Sequence, residues 1–331
     1  MLRTPSPDAK KHNLRKADLH VHTCRSWDVP DFDCYLPRAL FEVALGHADP
    51  SRRMDYFALT DHNTMAGFEE LHRSLSAGDR RLLIPAVEHN LRDPGIGFSI
   101  HVNLYLISPD QYAEIRARVV TLADLRDYCR ERGILAQYNH PTWWEREELK
   151  NGQVTLEKVR DAAEYFDVLE LNAGRTVLLN RVTANLARDM GKHLTCNSDT
   201  HSGDVGKACN EAPGDTVEDF LGAIWTGQGQ PVRANMTNRA LLTMVHSVID
   251  ELFNHRHGVR IKHTAMDSGN PRIEWLTQRV IGSDRVMRNA LMREPLRLLL
   301  KQVARPVVHN LMAHERRLER ELSTSGLQCY L

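Results

Sequence analysis

The sequence predicts an α/β fold in which short buried strands alternate with helices and deliver polar residues to one rim. Three observations carry this. Short apolar runs recur seven times, helix-length stretches separate several of them, and most runs lead into histidine, acid or asparagine. Repeated strand–helix alternation implies a mostly parallel sheet, open or closed into a barrel, with ligands at the C-terminal strand ends.

The run 17–21 carries His20 and leads to His22, and 56–60 leads to Asp61 and His62. The run 82–87 leads to Glu88, and 101–107 begins on His101. The run 134–138 leads to Asn139 and His140, 168–171 contains Glu170 and stops at Asn172, and 193–196 leads to Asp199 and His201. Runs of this length, most of them rich in β-formers, read as buried strands. Apolar residues near helical spacing predict helices over 36–45, 66–75, 109–132, 155–165 and 177–190.

Beyond residue 236 the alternation gives way to amphipathic helical stretches over 239–253, 271–292 and 295–321. Residues 236–331 carry 15 Lys and Arg against 9 Asp and Glu, so this tail is basic. The segment Gly227-Gln228-Gly229-Gln230-Pro231 reads as the connection. The expected organisation is a leader over 1–16, an α/β domain over 17–230 and a basic, mainly helical extension over 236–331.

Formal net charge is zero across 331 residues, so bulk charge argues neither for nor against nucleic acid. Six cysteines lie scattered with no CxxC spacing, which fits free thiols in a reducing compartment. The leader is polar and basic without an apolar stretch, and no run of about 18 apolar residues occurs, so the expectation is a soluble cytoplasmic protein.

Histidine is the informative residue, with 17 in the chain. His12, His47, His72, His255, His257, His309 and His314 sit among charges or in helical patterns and read as surface residues. In Asp18-Leu19-His20-Val21-His22-Thr23 two histidines are spaced by two, so on an extended chain both rings reach one side. Alone this is a weak metal signal, since two polar residues on a solvated strand face look the same. Four further clusters follow other strands: Thr60-Asp61-His62-Asn63, Glu88-His89-Asn90, Asn139-His140-Pro141 and Asn197-Ser198-Asp199-Thr200-His201. Five such clusters at equivalent strand ends point to one centre, and imidazole with carboxylate suits Zn, Mn or Fe, with Mg possible, whereas an all-oxygen site would suggest Mg or Ca. His89 reads as a residue supporting the ligands or as structural, because a strand turns it to the opposite face. Asp61 is a candidate to orient the His62 ring. Arg175, after Gly174 at the same rim, is a candidate to grip a phosphate by its planar fork.

The ordered set DLHVHT, TDHN, a Glu after IPAV, HVN, NHP and SDTH resembles the polymerase and histidinol phosphatase (PHP) superfamily over roughly residues 17–210. The resemblance implies a distorted seven-stranded (β/α) barrel of PHP type with the C-terminal helical extension added, and a centre of two or three divalent ions. It assigns His20, His22, Glu88 and Asp199 to one metal. Glu88 bridges to a second, shared with His101 and His140. The third takes His62, His201 and an acid after the first motif. There the chain departs from the family: Trp27 follows Ser26, which makes Asp28 the candidate acid, with Asp31 and Asp33 as substitutes.

The resemblance implies a hydrolase acting on phosphoric ester bonds, a stand-alone phosphoesterase that cleaves a phosphomonoester or nucleotide-type substrate with a metal-activated hydroxide. Glu88, His140, His201 and Arg175 are its candidate catalytic residues. Two other readings stand beside it. The basic extension, with Arg285, Arg288, Arg293, Arg297, Lys301 and Arg305 at helical intervals, could serve a nucleic-acid exonuclease or binding protein, although a solvated helix or an oligomer contact looks the same. An amidohydrolase-like C–N hydrolase uses similar ligands, but no strand-end Lys offers its hallmark.

Overall fold

The computed structural model describes residues 14–144, 148, 151–254, 279, 283–322 and 330. The expected leader therefore lies mostly outside the described residues, as does half of the helix expected over 271–292. The strands are β1 (Leu14–Asp18), β2 (Tyr56–Ala58), β3 (Leu83–Ile84), β4 (Ala86–Arg92) and β5 (Ser99–Tyr105). They continue as β6 (Leu135–Tyr138), β7 (Val168–Asn172), β8 (His193–Asn197), β9 (Cys209–Pro213) and β10 (Gln230–Val232). The helices are α1 (Pro37–Gly46), α2 (Ala66–Ser74), α3 (Ala77–Arg80), α4 (Pro109–Arg118), α5 (Leu122–Arg132), α6 (Leu156–Glu164) and α7 (Val177–Asp189). They end with α8 (Val217–Trp225), α9 (Asn238–Asn254), α10 (Asp284–Arg288) and α11 (Ala290–Leu322).

The strands form two five-stranded sheets, β10-β9-β1-β2-β3 and β4-β5-β6-β7-β8, and neither is closed. The expected seven-stranded barrel is not seen as one continuous ladder. Single parallel bridges, Val21 to Thr200 and His62 to Glu88, join the sheets beyond the ends of β1 and β2. The mostly parallel sheet is also corrected, because β4–β5, β5–β6, β1–β9 and β9–β10 pair antiparallel. The cause is connection length. Only residues 93–98 separate β4 from β5, too few for a crossover helix, so the chain folds back as a hairpin.

Other boundaries shift for local reasons. The run 82–87 divides at Pro85 into β3 and β4, which belong to different sheets, so Glu88 lies inside a strand rather than after one. The helix expected over 109–132 is two helices. Thr121 stops and restarts the chain with a capping box, its hydroxyl accepting from Asp124 N while the Asp124 carboxylate accepts from Thr121 N. The expected connector contains β10, whose Pro231 sits on an edge strand where a missing N–H is tolerated.

The largest apolar cluster fills the space between the second sheet and α4 to α7, with Phe98, Ile100, Leu104, Ile115, Leu125 and Leu179 almost fully buried. Each such aliphatic or aromatic side chain contributes about 1.5–3 kcal/mol on burial. The first sheet is covered by α8 through Phe220, Leu221 and Ile224, and by α1 and α2 through Leu40, Phe41 and Leu71. The extension packs on the rim: Leu252 and Phe253 of α9 and Met287 of α10 cover Cys24, Val29, Phe32 and Tyr35. Among the described residues no helix is long and apolar enough to cross a membrane.

Candidate metal centre

Every histidine and acid that the motifs single out as a metal ligand comes to one rim, where the two sheets meet. His20 and His22 follow β1 in extended chain, two residues apart, and their Nε2 atoms lie 3.0 Å from each other. Glu88 Oε2 is 3.1 Å from His20 Nε2 and 3.2 Å from His22 Nε2. Asp199 Oδ1 completes the group at 3.4 and 3.2 Å from the same two atoms.

Pleating explains the next two ligands. Glu88 pairs with Asn103 and Asn90 with His101 across β4 and β5, so all four share a face. Glu88 Oε1 is 3.1 Å from His101 Nδ1 and 3.5 Å from His140 Nε2. One buried carboxylate therefore touches both groups of rings with its two oxygens. The same pleating turns His89 away, where its Nδ1 lies 3.3 Å from the Tyr112 hydroxyl, the structural position expected for it. Burial among apolar residues lowers its pKa to about 4.

A third group gathers beside these. Asp28 Oδ2 lies 2.8 Å from His201 Nε2 and 3.2 Å from His62 Nε2. The Ser26 hydroxyl donates to its other oxygen at 2.8 Å, so the inserted Trp27 leaves Asp28 facing the centre. Asp31 and Asp33 are exposed. His62 Nδ1 also lies 3.0 Å from Glu88 Oε2, which links this group to the others.

The electrostatics are those of buried carboxylates and imidazoles in close contact. Burial alone would lower the pKa of His20, but Glu170, Glu88 and Asp199 hold it well above the usual range. His22 is carried to about 10, with burial opposed by Asp199 and Glu88. Burial would raise Glu88, Asp199 and Asp28, yet the surrounding rings hold all three well below the ordinary carboxylate range. His140 is lowered, mainly by burial.

The donor set fits a divalent cation. Four sets of three or four His, Asp and Glu atoms each lie within 4.8 Å of one another, and most of these residues are buried. The facing Nε2 atoms of His20 and His22 cannot both be protonated donors to each other, whereas both can donate lone pairs to one ion. Imidazole nitrogen with carboxylate oxygen is the donor chemistry of Zn, Mn and Fe sites.

Several supporting residues were not assigned a role from sequence. Glu170 is fully buried and accepts from His20 Nδ1 at 2.8 Å, the outer-shell contact that fixes a ligand ring. It also accepts from His140 N at 3.1 Å. Its signal was visible as the single acid inside the apolar run 168–171. Asn139 donates to Glu88 Oε1 at 2.9 Å, and Asn172 to Asp199 Oδ2 at 2.9 Å. Asp18, raised to about 6 by burial, accepts from Ser198 N and Gly206 N and so ties the two ligand-bearing loops together.

Asp61 corrects an expectation. Its carboxylate accepts from Thr23 N and the Thr23 hydroxyl at 2.6 and 2.8 Å, not from the His62 ring. It braces the DLHVHT loop, while the acceptors near His62 Nδ1 are Glu88 Oε2 at 3.0 Å and Asn90 Oδ1 at 3.3 Å. Backbone strain marks the same rim. Among four described non-glycine residues with positive φ, His140 (29°) and Asp199 (50°) are cluster members and Asn63 (54°) follows His62. Such conformations cost about 1–3 kcal/mol each and persist where packing over-determines them.

A cavity of ≈ 380 Å³ opens beside Asp199 and His201. Trp143, Arg175, Lys207 and, from the extension, Leu241 and Met244 line it. The Arg175 guanidinium lies 5.9 Å from the centre of the Trp143 ring, which is itself 4.9 Å from His101 and 5.7 Å from His140. The face expected to be basic is partly neutralised: Arg297 and Lys301 both pair with Asp250, at 3.3 and 2.5 Å, and Arg293 pairs with Glu294.

No protein-family model and no curated protein matches the sequence. Among solved structures, PsfC from Pseudomonas syringae PB-5123 aligns over 73% of this chain and 100% of its own, with 18% identity and a TM-score of 0.50. A two-domain protein from Bacteroides vulgatus, described as containing a predicted PHP-like metal-dependent phosphoesterase, aligns over 72% of this chain and 71% of its own, with 16% identity and a TM-score of 0.46. The lesion-specific endonuclease PfuEndoQ from Pyrococcus furiosus aligns over 66% and 57%, with 18% identity and a TM-score of 0.45. By fold this chain resembles PsfC, and its structural neighbours include a protein described as PHP-like and an endonuclease.

Proposed function

We propose that the chain is a metal-dependent phosphoesterase of the PHP superfamily that hydrolyses a phosphomonoester or nucleotide-type substrate. One observation carries this reading: six histidines and the carboxylates of Asp28 and Asp199, from separate loops and strands, converge around Glu88. His20, His22, Glu88 and Asp199 would hold one ion, Glu88, His101 and His140 a second, and Asp28, His62 and His201 a third. Ions held there would polarise phosphoryl oxygens and bring the pKa of a coordinated water towards neutrality.

The chain's own residues supply the rest. Glu170 locks the His20 ring, and Asn139 and Asn172 hold Glu88 and Asp199 in place. Arg175 and Lys207, which line the cavity with Asp199 and His201, would bind the phosphoryl group or a second anionic group of the substrate. Trp143, Leu241 and Met244 would receive its apolar part and exclude water. The residues are divided as the motifs divide them: an α/β domain over 17–230 and an extension over 236–331 that helps to build the mouth. The two bridges that join the sheets support reading the strands as a distorted seven-stranded barrel in which β3, β9 and β10 lie outside the ring.

The test is a phosphatase screen of purified protein against phosphorylated metabolites, nucleotides and short oligonucleotides, with Mn, Zn, Fe and Mg each supplied in turn. Turnover that needs one of these ions and disappears with chelator supports the proposal. Absence of bound transition metal and of any phosphate release refutes it.

A further inference from the structure

We infer that the protein has a second anion site, for a small multivalent phosphate compound, in the groove between α7 and the strand ends behind the metal centre. A cavity of ≈ 490 Å³ lies there, within the size range of small-molecule sites. Three arginines line it: Arg181 and Arg188 from α7, and Arg233 from the segment after β10. The first two are seven residues apart, two helical turns, so they stand on one face of α7. Arg233 joins them from a different element. Among the described residues no acid lines the cavity, and none of the three guanidinium groups makes a hydrogen bond or ion pair with a described residue. The neighbouring acid Asp189 is engaged instead with Arg160 and Tyr330.

The three exposed arginines carry like charge around one concavity, and among the described residues only Asp189, already engaged with Arg160 and Tyr330, acts on Arg188 to offset this. A multivalent anion would do so, with planar guanidinium forks suited to phosphate oxygens. Amide side chains stand there as well, Asn185 donating to Tyr330 O and Asn235 accepting from Asn180. Asn185 and Asn235 line the cavity, and Leu171, Leu194 and Cys196 give it an apolar floor. The chemistry therefore fits a diphosphate or a phosphorylated metabolite with a small apolar body.

The groove is separate from the mouth that holds Arg175, and its walls belong to the opposite face of β7. Asn180 connects them: it exchanges hydrogen bonds with the Asn172 backbone at 3.0 and 2.9 Å, and the Asn172 side chain donates to Asp199.

The experiment is calorimetric titration of the full chain with pyrophosphate, in the presence of a chelator so that the metal centre takes no part. Wild type should show one saturable site. The double variant Arg181→Gln, Arg233→Gln should weaken it at least tenfold, while Arg175→Gln leaves it unchanged. Circular dichroism melting checks that each variant is folded. A chelated wild-type protein with no saturable binding overturns the inference. An equal loss in Arg175→Gln, which would put the anion in the mouth, also overturns it, and so does citrate binding as tightly as pyrophosphate. The outcome is independent of catalysis, because phosphatase activity can fail while this titration succeeds.

Discussion

Replacing Glu88 by glutamine should remove both metal retention and turnover. The side chain is fully buried, so its interactions are not weakened by solvent. Its oxygens lie 3.0–3.2 Å from His20, His22, His62 and His101, and 3.5 Å from His140. Glutamine keeps the shape but loses the charge and replaces one oxygen with an NH₂ that cannot donate a lone pair to an ion. Counting one charged interaction of about 1.5–3 kcal/mol for each of two adjoining ion sites, the loss is roughly 3–6 kcal/mol. At about 1.4 kcal/mol per factor of ten, ion retention should fall by on the order of 10²–10⁴. The assay is metal content by plasma mass spectrometry after gel filtration, paired with turnover on the best substrate of the screen. Circular dichroism shows whether the variant is folded. A folded Glu88→Gln protein with full metal loading and near-normal turnover refutes the bridging role.

Three further predictions follow from separate contacts. Glu170→Gln weakens the acceptor that fixes His20, so metal affinity by chelator competition should fall about 10–100-fold, with partial recovery in Glu170→Asp; an unchanged affinity removes Glu170 from the centre. A Cβ at Gly67 would lie 2.1 Å from Asp61 Oδ2, the acid that holds Thr23. Gly67→Ala should therefore cost about 1–3 kcal/mol in urea denaturation, and a variant as stable as the parent contradicts the packing. Burial lifts the thiols of Cys34, Cys129, Cys196 and Cys209 to about 12 and Cys24 to about 11, against an ordinary 9.0. Since a pKa above the working pH leaves less thiolate, labelling at pH 8 should be slowed on the order of 10³-fold at the first four. In a Cys329→Ser protein a thiol reagent should then count five cysteines after denaturation and almost none before; rapid native labelling contradicts the burial.

The ligand-bearing residues were legible because their signal is local. A strand that ends in polar side chains needs only a few consecutive residues to be recognised, and HxH spacing is a property of two-residue periodicity. The departure at Trp27 was legible too, and Asp28 lies with His62 and His201. Glu170 was visible as an acid in an apolar run, but its partner, 150 residues away in sequence, was not. Asp61 shows the converse: adjacency to His62 suggested one contact, and tertiary packing gave the carboxylate to Thr23 instead.

The order of sheets was not legible, since residue patterns describe which face of a strand is buried and say little about which neighbour it pairs with. Thus 82–87 became parts of two sheets, and the run expected to end before Glu88 continued through it as half of a hairpin. By itself the sequence determined which side chains could bind cations, because donor chemistry is written in residue identity. Only the tertiary structure decided that Glu88 would meet five rings and that Arg181, Arg188 and Arg233 would share a cavity, because those proximities depend on how separate elements close upon each other.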